Sequence, residues 1–82
     1  MKNGKRILIR GIPWKFIVGR PPGNKCDGMC CYDIRTIYVR KTATDPIATA
    51  VHEVLHACFP DVEEGAIIDT EEAIMAALEA LH

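Results

Sequence analysis

The sequence predicts an α+β domain: a small antiparallel sheet of three to four strands in the first half, followed by two helices. Two observations carry this reading. Residues 5–41 hold short β-rich runs cut by glycine and proline, whereas residues 45–82 show helical spacing. The charges divide at the same place. All ten Lys and Arg residues lie in residues 1–41, and residues 42–82 carry only acids and histidines. With 82 residues, positions 1–82 are expected to form one domain.

The β-half is read run by run. Arg6–Arg10 is a short Ile-rich strand, broken at Gly11-Ile12-Pro13. Trp14–Val18 alternates, with Trp14, Phe16 and Val18 on one face. Gly19 to Gly28 contains Pro21, Pro22, Gly23, Asn24 and Asp27, a loop composition. A third strand is expected around Cys30–Asp33, with a tight connection near Ile34-Arg35. A fourth follows at Thr36–Arg40 with Ile37 and Val39 inward, and hairpins are the cheap way to join strands this short.

Then the period changes. Asp45 can cap a helix and Pro46 suits its first position. Ile47, Val51, Val54, Leu55 and Cys58 follow as an apolar back, and Pro60 stops the helix. Residues 61–68 read as a connection with a short helical turn at Val62–Gly65. Asp69-Thr70-Glu71-Glu72 resembles a capping box, so the last helix is expected from about Thr70 to Leu81, with Ile74, Ala77, Leu78 and Leu81 inward.

The net charge is −1, and no Lys/Arg run exceeds two residues. The basic half is therefore read as solvent-facing strand surface, with nucleic acid the less favoured partner. The apolar stretch Ile7–Ile9 is too short for a signal peptide, and no run approaches a membrane span. The expected location is cytoplasmic, with reduced cysteines.

The most specific signal is His52-Glu53-Val54-Leu55-His56. Residues at i and i+4 lie one turn apart on one helix face, so two imidazoles can meet at one metal. Glu53 sits beside them, where a carboxylate reaches an activated water rather than the metal. This pattern points to Zn2+ on His52 and His56, with Glu53 as the catalytic general base of peptide hydrolysis.

A catalytic zinc usually takes a third protein ligand. The metzincin position, six residues after His56, is Val62 and excludes that arrangement; His82 sits at the chain end. Glu71 shares the inward stripe with Ile74, Met75 and Leu78, where a carboxylate is costly unless paired. Glu71 is therefore the preferred third ligand, with Glu72 next and Glu64 third. Cys30 or Cys31 is a further alternative, on the pattern of peptide deformylases, although the other deformylase motifs are missing. Cys26, Cys30 and Cys31 lack zinc-ribbon spacing, and Cys58 falls on the apolar back. Tyr32 and Tyr38 are the candidates for stabilising an oxyanion.

His52-Glu53-Val54-Leu55-His56-Ala57, the strand-rich first half and the acidic last helix together resemble the small zincin-like HExxH metallopeptidases often encoded by bacteriophages and prophages. The likeness spans roughly Arg6 to Leu81, and only the HExxH block is a specific motif. It implies a minimal gluzincin: a small sheet, a metal helix and a second helix bearing a glutamate ligand. Glu71 lies fifteen residues beyond His56, closer than in thermolysin-like gluzincins. The resemblance implies zinc, a glutamate base and a peptide or protein substrate. Two other functions fit parts of the sequence: a zinc-stabilised binding module without turnover, and a nucleic-acid-associated protein using the basic half.

Overall fold

The computed structural model describes residues 4–23 and 26–82. The expected loop positions Asn24 and Lys25 lie outside the described residues. The elements are β1 (Gly4–Ile9), β2 (Ile12–Val18), β3 (Gly28–Cys31), β4 (Thr36–Val39), α1 (Pro46–Cys58) and α2 (Glu64–Ala80). The architecture is α+β: a four-stranded sheet followed by two helices.

β1 and β2 form a hairpin whose turn residues, Arg10 and Gly11, both have positive φ, 53° and 80°. A two-residue turn of this kind matches the twist of the flanking strands. Pro13 is tolerated in β2 because the pairing with β4 begins only at Lys15. β3 and β4 form a second hairpin across residues 32–35, closed by Arg35 N–H donating to the Tyr32 carbonyl at 3.2 Å.

The strand order β1-β2-β4-β3 departs from a purely antiparallel sheet, because β2 and β4 run parallel. The physical reason lies in residues 19–27. That connection is long enough to pass the end of β4, which places the second hairpin with β4 inward and β3 at the edge.

α1 lies over one face of the sheet. Ile9, Trp14, Ile37, Val39 and Ala57 form the buried cluster, with Ile7, Phe16, Cys30, Ala50, Val54 and Cys58 packed around it. The small residues Ala50 and Ala57, with Val54 between them, let the helix approach the strands closely. Ile47, expected on this apolar back, is exposed. The opposite sheet face carries Arg6, Leu8, Lys15, Ile17 and Tyr38 by strand alternation, and no helix packs on it.

α1 begins as expected: Asp45 Oδ1 accepts from the Ala48 N–H at 3.1 Å, and Pro46 takes the first position. Its other end is held by Arg10, whose Nη1 donates to the Cys58 carbonyl at 3.1 Å.

α2 corrects the sequence reading. It starts at Glu64, about six residues earlier than expected, and Asp69 is inside it rather than capping it. The Thr70 hydroxyl donates back to the Ala66 carbonyl at 2.7 Å, one turn earlier. The apolar stripe simply extends backwards, and Ile67, expected in a connection, is only 2% exposed. Ala77, Leu78 and Leu81, expected inward, are exposed. No helix is long and apolar enough to cross a membrane among the described residues.

Candidate metal centre

The centre forms where α1 faces α2. His52 and His56 lie one turn apart on α1, and their Nε2 atoms are 3.2 Å apart. Glu64, in the first turn of α2, brings one carboxylate to both. Its Oε1 lies 2.8 Å from His56 Nε2, and its Oε2 lies 3.2 Å from His52 Nε2. These three residues form a group that could hold a metal ion.

The donor set suits a borderline metal: two imidazole nitrogens and one carboxylate oxygen. Tetrahedral ligands about 2.1 Å from a zinc ion stand about 3.4 Å from each other. The observed separations of 2.8–3.2 Å therefore need to open only by a few tenths of an ångström.

Glu71, the preferred third ligand from the sequence, lies on the other side of the His52 ring. Its Oε1 is 2.8 Å from His52 Nδ1. With Nδ1 protonated, His52 donates to Glu71 and presents the Nε2 lone pair to the Glu64–His56 side. Glu71 is the more enclosed carboxylate, 22% exposed against 59% for Glu64. Glu72, the second alternative, is exposed. Glu64 was harder to find because its place depends on where α2 begins. The signal was present as spacing: Glu64, Ile67, Glu71 and Ile74 follow one inward stripe at intervals of three and four.

Glu53 stands next to His52 on α1 but outside the three-residue group. Burial raises its pKa above 4.5, and Glu64 and Glu71 push in the same direction, while His52 and His56 pull it down. It reaches across to the edge strand. A Cβ at Gly28 would lie 2.5 Å from Thr49 Cγ2 and 3.1 Å from Glu53 Cγ, so only glycine lets β3 come this close. Thr49, His52 and Glu53 of α1 and Glu71 of α2 open into a cleft whose other wall includes Asp27 and Gly28.

Tyr32 and Tyr38 part company in the structure. Tyr32 donates its hydroxyl to the His56 carbonyl at 3.0 Å and packs edge-on to Trp14. Burial raises its pKa, with Cys30, Glu53 and Asp61 adding to the rise. Tyr38 belongs to the uncovered sheet face. Cys30 sits near Glu53, and its thiol is pushed up to about 11, first by burial and then by the Glu53 charge. Neither Cys30 nor Cys31 joins the His52–His56–Glu64 group, and no disulfide joins Cys26, Cys30, Cys31 or Cys58. Comparison with protein-family models, curated proteins and solved structures finds no match.

Proposed function

We propose that the chain is a zinc-dependent peptidase in which His52, His56 and Glu64 hold the metal and Glu53 is the general base. One observation supports this reading most directly. Two imidazoles and one carboxylate converge as a three-donor set, and a fourth group, Glu53, stands beside them uncommitted to that set. Three protein ligands leave a coordination position open, as catalytic zinc sites do. When bound, zinc would lower the pKa of water and polarise a substrate carbonyl.

The residues of the chain divide the remaining work. Glu53 takes a proton from the attacking water and returns it to the leaving amine nitrogen. Glu71 holds the His52 ring in the tautomer that presents Nε2, replacing the ligand role expected for it from the sequence. Tyr32 lies on the α1 side of the sheet and Tyr38 on the other face, but Tyr32 would have to release the His56 carbonyl, which takes its single O–H proton at 3.0 Å, before it could donate to a developing oxyanion. β3 is an edge strand, and its Gly28 lies against Glu53. An extended peptide adding to that edge would run beside the base. In fold and motif this reading agrees with the small zincin-like resemblance.

The test is turnover of a peptide library by zinc-loaded protein, wild type against Glu53→Gln. The variant should bind zinc as wild type does and lose activity by about 10²- to 10⁴-fold. Equal turnover by the variant would remove Glu53 as base. No turnover by either, with zinc bound, would favour a metal-stabilised binding module.

A further inference from the structure

The uncovered face of the sheet carries a concentration of positive charge that the metal centre does not use. Arg6 in β1 and Lys15 in β2 are direct cross-strand partners on this face. Like charges directly opposite each other destabilise a sheet. Arg35 joins them: Arg6, Lys15 and Arg35 line one shallow concavity with Pro13, Ile34 and the acid Asp33, and the concavity reaches Trp14 and Tyr32 at the end of the sheet. Among the described residues, none of these three cations forms an ion pair or a side-chain hydrogen bond.

Arg35 also holds an unfavourable backbone conformation, φ +47°, in the β3–β4 turn. Glycine or asparagine would occupy that position at lower cost. The comparison with Arg10 is informative. Arg10 has φ +53°, and its side chain caps the end of α1. Arg35 is held in the turn by its backbone, its N–H donating to Tyr32 and its carbonyl accepting from the Lys15 N–H at 2.9 Å, while its side chain makes no ion pair or hydrogen bond among the described residues. Like-charged side chains kept directly opposite each other, with no ion pair among the described residues, point to an external anion.

We infer that this sheet face binds single-stranded nucleic acid, with Arg6, Lys15 and Arg35 contacting phosphates. The flanking surface favours a nucleic acid over an acidic protein segment. Leu8 is 71% exposed and Ile34 is 63% exposed, and Tyr38 lies on the same flat face. Cations interleaved with flat apolar and aromatic side chains suit the alternation of phosphates and bases in a single strand. The acidic helices lie on the other side of the sheet, with nine acids and no Lys or Arg in residues 42–82, so an anionic strand has one favourable face to approach. This inference is independent of the peptidase reading, because none of the three cations belongs to the metal centre.

The test is fluorescence anisotropy with a labelled oligothymidylate of about 16 nucleotides. Three phosphate contacts predict a log–log salt slope of about −2, so affinity should fall about 20-fold between about 50 and 200 mM salt. The triple variant Arg6→Gln, Lys15→Gln, Arg35→Gln should lose this binding while keeping its zinc affinity. Arg35→Gly provides a variant that relieves the backbone: it should melt no lower than wild type yet shorten the salt slope by about 0.7. Absence of binding at low salt would overturn the inference, as would equal binding by the triple variant. Equal affinity for a polyglutamate peptide of the same charge would assign the face to an acidic protein instead, and overturn the nucleic-acid assignment.

Discussion

The two helices contribute to one centre but are held in opposite ways. α1 packs on β1, β3 and β4, and side chains tie both its ends, Asp45 at the start and Arg10 at the finish. Among the described residues, α2 packs against no helix or strand but α1, and no side chain caps its first turn. Yet α2 supplies both carboxylates, Glu64 and Glu71, that meet the histidines. The difference teaches a division of labour. The sheet supports the histidine pair as a platform, and the acidic helix lies across it as a clamp. A metal would join a well-supported element to a poorly supported one, so its binding energy should appear mainly in the order of α2.

The largest effect should come from adding the metal. In hydrogen exchange, zinc at about a hundred times its dissociation constant should slow the α2 amides by up to about 100-fold, equivalent to about 2.7 kcal/mol. The amides of α1 should change less. Equal protection of both helices before zinc is added would break the comparison.

Gly28→Ala tests the platform rather than the clamp. The added methyl group would meet Thr49 and Glu53 and push β3 from α1, costing about 1–3 kcal/mol in thermal or denaturant unfolding. Combining it with Thr49→Ala should recover part of the loss. A neutral Gly28→Ala would mean that the edge strand is not held at its observed distance. Smaller still, Asp45→Ala should cost about 1 kcal/mol by removing the cap of α1. The same change at Glu63, which caps nothing with its side chain, should be close to neutral.

The platform was more legible in the sequence than the clamp. His52, Glu53 and His56 could be placed because an i, i+4 pair on a capped helix fixes their relation locally. Asp45, Pro46 and Pro60 bounded that helix for the same reason. The strands were found to within two residues of their starts, since Gly11, the 19–28 loop and the alternation around Trp14 are local signals. What escaped was non-local. The parallel pairing of β2 with β4 depends on which side of the second hairpin faces β2, and alternation carries no record of that. The start of α2 was misplaced because Asp69-Thr70 mimics a cap while its hydroxyl turns back to Ala66. The earlier start of α2 places Ile67 in the core and brings Glu64 beside the two histidines.

The central claim is that Glu64 completes the metal set and Glu71 orients His52. Zinc affinity, measured by competition with a chromogenic chelator for wild type, Glu64→Gln and Glu71→Gln, tests it most directly. Glu71→Gln should weaken binding by about 10- to 100-fold and keep one zinc per chain at saturation. Glu64→Gln should lose more than that, leaving only the two imidazoles of α1 as donors. The reverse order, with Glu64→Gln near wild type and Glu71→Gln unable to hold zinc, would contradict the account and return the third ligand to Glu71.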